Sequence, residues 1–75
     1  MLAEHSSVVL VTDLPARGLV AGDVGVVVHV YRGGEPYEVE FVRYDGSSLG
    51  TATLTADQVR AAGARDVPHV RELAA

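Results

Sequence analysis

The amino-acid sequence predicts an all-β domain of five short strands, and three observations lead to that prediction. Fourteen of the 75 residues are valine, a β-branched residue that is favoured in strands. Apolar runs of strand length alternate with turn signals made of Gly, Pro and Asp. The longest apolar run, residues 22–31, is rich in β-branched side chains and follows such a turn, so we expect it to lie between other strands.

The strand predicted at residues 24–31 is the centre of this sheet. By the two-residue period of a strand, its even-numbered valines share one face, which we expect to point into the core. The opposite face then carries His29 and Tyr31. Gly25, inside the strand, predicts a bulge, a sharp bend or a close approach of another backbone.

The strands on either side are separated from it by turn signals. The first strand is predicted at residues 7–12, and a long loop over residues 13–23 follows, in which Pro15 and Gly22 mark turns. The third strand, at residues 37–43, alternates clearly and places Glu38 and Glu40 on its wet face. We therefore expect His29 to lie opposite one of these glutamates.

The last two strands follow a tight hairpin. Asp45 and Gly46 are the preferred pair for a type I′ turn, which leads into a fourth strand at residues 49–54. One 3₁₀ turn at residues 55–58, capped by Thr55, is predicted next. A short fifth strand at residues 59–61 completes the set.

This order of strands, with a long first loop and a 3₁₀ turn before the last strand, is that of a small five-stranded SH3-like barrel. We assign residues 7–61 to the barrel and residues 1–6 to an N-terminal extension. Residues 62–75 form a C-terminal tail whose last seven residues, 69–75, have the pattern of a short helix, and we expect this tail to be either frayed or docked on another surface. The open edge left by the short fifth strand would allow a homodimer to form.

Composition limits the function classes. Ten acidic residues against six arginines and no lysine give a net charge of −4, which argues against a nucleic-acid partner. The absence of cysteine excludes disulfides and thiolate metal sites. No signal peptide, membrane span or membrane partner is predicted, and we expect a cytoplasmic protein.

The sequence offers no catalytic motif. Its serines lie at a strand start and in a turn, and the Gly22–Gly25 segment precedes a strand rather than a helix, unlike a phosphate-binding loop. The histidines, His5, His29 and His69, lack metal-ligand spacing. We therefore expect no enzyme activity, no catalytic residue, no metal site and no cofactor.

The chain resembles a small bacterial family of domain-of-unknown-function proteins across residues 7–61. The resemblance is carried by Asp-Leu-Pro at residues 13–15, Gly-Asp-Val-Gly-Val-Val at 22–27, Tyr-Glu-Val-Glu-Phe at 37–41 and Thr-Leu-Thr-Ala-Asp-Gln-Val-Arg at 53–60. It implies an SH3-like barrel without established enzymatic activity. Some members lie beside genes that resemble toxins, which suggests an antitoxin or immunity role. The Gly-Asp-x-Gly-x-Val piece is also similar to KOW-type barrels and to the barrel of nitrile hydratase β subunits.

One surface is the candidate interaction site. The outer face of the second and third strands should present His29, Tyr31, Glu38 and Glu40 together, as a patch for a basic partner protein. A second candidate is the long loop with Asp13, Arg17 and Asp23. The predicted structural turns involve Pro15, Gly22, Gly25, Asp45 and Gly46.

Three functions from different classes follow from these features. The first is a non-enzymatic protein-binding module, of the antitoxin or immunity type, that neutralises a basic protein. The second is a KOW-like barrel associated with RNA or the ribosome, and the net charge counts against it. The third is an accessory subunit of an enzyme, which would need a pocket with convergent polar groups.

Overall fold

The computed structural model describes residues 2–73, which contain five strands in one antiparallel sheet. The strands are β1 (Ser7–Leu10), β2 (Val24–Val30), β3 (Tyr37–Val42), β4 (Ser48–Leu54) and β5 (Val59–Ala61). Neighbouring strands follow the order β4-β3-β2-β1-β5. The predicted all-β class and its five strands are confirmed. Because β4 and β5 stand at the two ends of this order, closure into an SH3-like barrel stays a prediction.

A single hydrophobic core holds the sheet. Buried side chains from all five strands contact one another, so the sheet coils around a common centre. Leu19, from the long first loop, joins this cluster and covers it. Burying one such side chain stabilises a fold by roughly 1.5–3 kcal/mol, which makes the core the main source of stability in a chain without disulfides. Its members are Val8, Leu10, Leu19, Val27, Tyr37, Val39, Phe41, Ala52, Leu54 and Val59.

The central strand turns a different face to this core from the one that its sequence predicts. Val27 is fully buried, whereas Val24 and Val26 are 48% and 37% exposed, so the prediction that the even-numbered valines face inward is wrong for these two. The register explains the change: Val27 pairs with Val39, but His29 pairs with Glu38, the next residue along β3. Val28 is therefore an extra residue, and such a bulge resets the alternation of the side chains.

Gly25 marks a close approach of two strands. A Cβ at this position would lie 2.6 Å from Cγ1 of Val39 and 2.9 Å from the carbonyl oxygen of Glu40. Gly25 pairs with Phe41 across the two strands. Of the three roles that a glycine here predicts, close backbone approach is the one observed, and the bulge lies further along at Val28.

The long first loop contains one turn of 3₁₀ helix, Pro15–Arg17, which the sequence analysis treats as irregular loop. Pro15 occupies the first helical position, where its missing N–H costs nothing. The loop returns to the sheet at Gly22, whose N–H donates to the Leu10 carbonyl at 2.7 Å. Pro15 and Gly22 thus lie at the two turns that the sequence predicts for them.

The hairpin between β3 and β4 is not of type I′. Gly46 has a positive φ of 89°, but Asp45 does not, and a type I′ turn needs positive values at both positions. The N–H of Gly46 donates to the Arg43 carbonyl at 2.9 Å, and the N–H of Arg43 donates to the Ser47 carbonyl at 2.8 Å. This is a three-residue loop with glycine in the left-handed position. The Asp45 carboxylate stabilises it by accepting the Ser47 N–H at 2.9 Å.

A single hydrogen-bonded turn over residues 55–58 precedes β5. The N–H of Gln58 donates to the Thr55 carbonyl at 3.0 Å, the i to i+3 bond of a 3₁₀ turn. Gln58, and not the predicted Thr55, caps the turn, because its Oε1 accepts the N–H of Thr55 at 2.8 Å. The Thr55 hydroxyl instead donates to the carboxylate of Asp57.

The C-terminal tail has no helix over residues 62–73, so the predicted helix is wrong there, and Ala74 and Ala75 lie outside the described residues. A helix this short needs packing against an apolar stripe, yet Val67 and Val70 are 86% and 77% exposed. The tail is held by ion pairs instead, through Asp66 and Arg71. No helix among residues 2–73 is long and apolar enough to cross a membrane.

Substituting Gly25 by alanine tests the close approach of β2 and β3. The new Cβ must displace Val39 and the backbone of Glu40, and overpacking of this kind costs about 1–3 kcal/mol. For a domain of this size each kcal/mol lowers the melting temperature by about 4–8 °C. Gly63→Ala is the matched control, because its Cβ would make only an ordinary contact, 3.6 Å from the Asp66 carboxylate. Equal melting temperatures for the two variants in thermal denaturation would contradict the assignment.

The anchor of the tail predicts a dependence on pH. Arg71 donates to Asp23 through Nε at 2.9 Å and through Nη2 at 2.5 Å, and also to the Gly18 carbonyl at 3.0 Å. The bond from Arg71 is the main reason why the pKa of the Asp23 carboxyl is lowered. A carboxyl with a lowered folded pKa stabilises the fold above its unfolded pKa, about 3.9. That stabilisation is lost as the pH falls through the folded value.

We therefore expect Arg71→Ala to free the tail at neutral pH. In the unmodified chain, protonation of Asp23 below about pH 4 should free the tail in the same way. Heteronuclear NOE values of the backbone amides of residues 69–73 would fall in both cases while those of the strands stay high. Arg65→Ala is the control, because it removes an exposed arginine of the same tail and leaves the Arg71 anchor intact. Tail amides that remain equally rigid in both variants would show that this ion pair does not hold the tail.

Candidate functional site

Two rows of side chains run across the outer surface of the sheet from β2 to β4. In the first row His29 pairs with Glu38, and Glu38 pairs with Thr53. In the second row Val26 pairs with Glu40, and Glu40 pairs with Thr51. Strand register therefore brings both glutamates to the same surface, each beside a threonine of β4.

Glu38 is held by two hydroxyl groups. Its Oε1 accepts a hydrogen bond from Thr53 Oγ1 at 2.6 Å and one from Tyr31 Oη at 3.1 Å. The pKa of the Glu38 carboxyl is lowered, first by Thr53, then by the hydroxyl of Thr51. The same contact raises the pKa of Tyr31, because a phenol that donates to a carboxylate gives up its proton less readily. Glu38 is thus fixed in place and kept in its charged form.

Glu40 is held in a similar way. Its Oε2 accepts a hydrogen bond from Ser48 Oγ at 2.8 Å, across the β3–β4 pair. Glu38 and Glu40 follow each other on one face of β3 at a spacing of two residues, and both are half-buried. Two fixed carboxylates therefore lie side by side at the surface.

His29 and Tyr31 stand next to the glutamates. Their rings meet edge to face, with centroids 4.6 Å apart and planes inclined at 88°. His29 Nδ1 lies 3.7 Å from a carboxylate oxygen of Glu4, which adds a third acidic group to the surface. We call His29, Tyr31, Glu38 and Glu40 the acidic face. The structure brings these four predicted residues together, and their role in binding a partner stays a prediction.

The second candidate surface, the long loop, is differently arranged. Asp13 accepts the N–H of Ala21 at 2.9 Å, and Asp23 is occupied by Arg71 and by the N–H of Val20 at 2.9 Å. Both carboxylates therefore hold the loop and the tail in place. Arg17 points towards β4, and its charge contributes to the lowered pKa of Glu38. The loop acids are thus structural, and Arg17 borders the acidic face.

Sequence reasoning missed an apolar groove beside the acidic face. The groove is open to solvent, has a volume of about 760 Å³, and lies between the outer surface of β2 and β3 and residues 68–73 of the tail. Its exposed apolar side chains on the sheet are Val24, Val26 and Val42, together with Tyr44 at the hairpin, and Val70 faces it from the tail. We call this the valine groove. The only sequence signal for it was the presence of more valines in β2 than one face of a strand can bury.

The described residues also bear on metal and cofactor binding. Among residues 2–73 no group of three or more His, Asp and Glu side chains is placed to hold a metal ion. A second, smaller hollow of about 460 Å³ lies between the long loop and β4 and opens widely to solvent. The acidic face and the valine groove are therefore the two surface features with a defined chemistry.

Comparison with known proteins identifies a family to which the chain is similar. The model of a family described as "Domain of unknown function (DUF4926)" matches residues 4–61, which include all five strands. No curated protein and no solved structure matches the chain significantly. The matched region covers most of the chain and confirms the resemblance to a family of domains of unknown function. The chain therefore belongs to the DUF4926 family of domains of unknown function.

Proposed function

We propose that this domain is a non-enzymatic protein-binding module that receives a basic partner protein on its acidic face. The observation that carries the proposal is the fixed pair of carboxylates, Glu38 and Glu40, each held by hydroxyl groups of a neighbouring strand. Surface glutamates are usually mobile, and ordering them on binding costs side-chain entropy. Here that cost is already met within the fold, which favours binding.

The electrostatics support the same function. Charges that are complementary across an interface speed the encounter of the two proteins and select against partners of the wrong sign. Glu4, Glu38 and Glu40 give this surface a negative character within a chain of net charge −4. Tyr31 and His29 add aromatic area next to the carboxylates, and tyrosine is enriched in protein interfaces.

The protonation state of Glu38 supports binding rather than catalysis. A general acid needs a pKa near the working pH so that its proton is available for transfer. Hydrogen bonds from the Thr53 and Thr51 hydroxyls lower the pKa of Glu38, so this group stays charged near neutral pH. A carboxylate of that kind suits a permanent ion pair with Arg or Lys on a partner.

A specific form of this proposal is an antitoxin-type role. Proteins that act on nucleic acid carry basic surfaces, because they must displace the counterions of phosphates. An acidic domain that covers such a surface would block access of the nucleic acid. The KOW-like alternative needs a basic surface on this chain itself, and the accessory-subunit alternative would use the same acidic face to hold an enzyme.

The test of the proposal begins with a tagged pull-down from the source cells, with and without nuclease treatment. We expect a stoichiometric, basic protein that remains bound after nuclease treatment. Loss of the bound material on nuclease treatment would support the RNA-associated alternative instead. Recovery of an enzyme whose activity changes on binding would favour the accessory-subunit alternative.

Charge reversal on the acidic face is the quantitative prediction. We expect Glu38→Lys and Glu40→Lys each to weaken the affinity of the purified complex severalfold, because each puts a positive charge opposite a basic partner. The double variant should lose about tenfold or more in affinity, which corresponds to about 1.4 kcal/mol of binding free energy. Affinity measured by calorimetry at low and high salt should also become less dependent on salt. Asp57→Lys, in the turn before β5, makes the same change in net charge away from this face and should have little effect. If the control Asp57→Lys loses as much affinity as Glu38→Lys and Glu40→Lys, the proposal is contradicted.

A further inference from the structure

The valine groove is an exposed apolar surface that the fold itself leaves open. Val24 and Val42 are about half exposed, at 48% and 51%, and the side chain of Tyr44 is fully exposed. These residues lie close together, because Val24 and Val42 flank the Gly25–Phe41 pair on neighbouring strands. A contiguous apolar patch with a polar rim marks a site of interaction more often than single exposed side chains do.

The tail forms one wall of the groove without filling it. Arg71 pins the tail to Asp23 and to the Gly18 carbonyl, at the end of the groove where β2 begins. Val70 and the half-buried Leu73 line the groove from the tail side, yet Val70 remains 77% exposed and Val24 and Val42 remain about half exposed, so the tail covers the valines only in part. The tail therefore bounds a hollow in which an apolar group from another molecule can be enclosed on two sides.

The groove is continuous with the acidic face. Glu40 belongs to both, because it lines the groove and pairs with Val26 across β2 and β3. Side chains that pair directly across two antiparallel strands have Cβ atoms about 4.5–5.5 Å apart. A single bound segment can thus contact the carboxylates with one residue and the valines with a residue close to it.

We infer that the segment bound here carries an apolar anchor next to basic residues, and that the anchor enters the valine groove while the basic residues pair with Glu38 and Glu40. This inference rests on the proposed function and adds the chemistry of the bound segment. Interfaces commonly place one apolar or aromatic anchor in a pocket and surround it with charged contacts. Glu38 and Glu40 favour a basic segment over an acidic one, because the two arginines that line the groove, Arg43 and Arg71, are already engaged by Ser47 and Asp23.

Selection from a library of random peptides displayed on phage tests the inference with a defined probe. The complete chain, immobilised through a tag, should enrich peptides in which Leu, Ile, Phe or Trp lies within a few residues of Arg or Lys. Synthetic versions of these peptides should shift the NMR signals of Val24, Val26 and Val42 in the labelled protein. Replacing the apolar residue of a peptide by serine should weaken its binding about tenfold or more.

Variants of the protein separate the inference from the proposed function. Val24→Ser and Val42→Ser should each weaken the binding of the peptides about tenfold. Val11→Ser changes a similarly exposed valine outside the groove and should leave their affinity unchanged. Glu40→Lys should remove the preference for basic residues. Because all of these positions are exposed or half-buried, unchanged thermal denaturation curves would show that the fold is intact.

Four outcomes would overturn the inference. If the enriched peptides are basic but contain no apolar residue, the proposed function stands and the inference of an apolar anchor is wrong. Enrichment of apolar peptides that contain no basic residue would contradict both the proposed function and the inference. Failure to enrich peptides relative to the Val24→Ser, Val42→Ser double variant would also refute the anchor. The last is self-association: a concentration-dependent dimer in sedimentation, abolished by Val42→Ser, would show that a second copy of this chain occupies the groove.

Discussion

One extra residue in β2 determines the character of the whole outer surface of this domain. The bulge at Val28 lies between the Val27–Val39 pair and the His29–Glu38 pair. Before it, the even-numbered residues of β2 point outward; after it, His29 does. The outer surface of the same strand is therefore apolar at one end and polar at the other. The outward valines of the valine groove and the outward His29 of the acidic face are two consequences of this single backbone irregularity.

The strands could be predicted from the sequence because turn residues separate the apolar runs and because β3 alternates clearly. Tyr37 and Phe41 point inward and Glu38 outward, as the two-residue period requires. The orientation of β2 could not be predicted in that way. Both faces of β2 are apolar at its start, because valine stands at residues 24, 26, 27 and 28, so the two-residue period does not show which face is buried. The contact of Gly25 with β3, a tertiary feature, decides which face is buried.

The acidic face was only partly predictable for a related reason. Glu38 and Glu40 follow from the local alternation of β3, whereas His29 points outward because of the bulge at Val28. Apart from that of Tyr31, the hydroxyl groups that hold the carboxylates come from β4, where the register with β3 shifts between Glu40 and Val42. The tail was unpredictable because its anchor joins Arg71 to Asp23, 48 residues earlier in the chain. A local pattern of residues cannot predict a contact between parts of the sequence that are so far apart.

The distribution of arginines explains why the negative charge remains concentrated on one surface. Arg60 pairs with Asp66, Arg71 pairs with Asp23, and Arg43 donates to the hydroxyl of Ser47. Each of these side chains stabilises a turn or the tail. The glutamates of β3 instead accept hydrogen bonds from neutral hydroxyl groups, and Arg17 adds only a smaller contribution to the lowered pKa of Glu38. Two like charges on one strand face repel each other, and a cation from a partner would relieve that repulsion. The proposed basic partner would therefore meet two carboxylates that are already held in position and that repel each other until a cation binds between them.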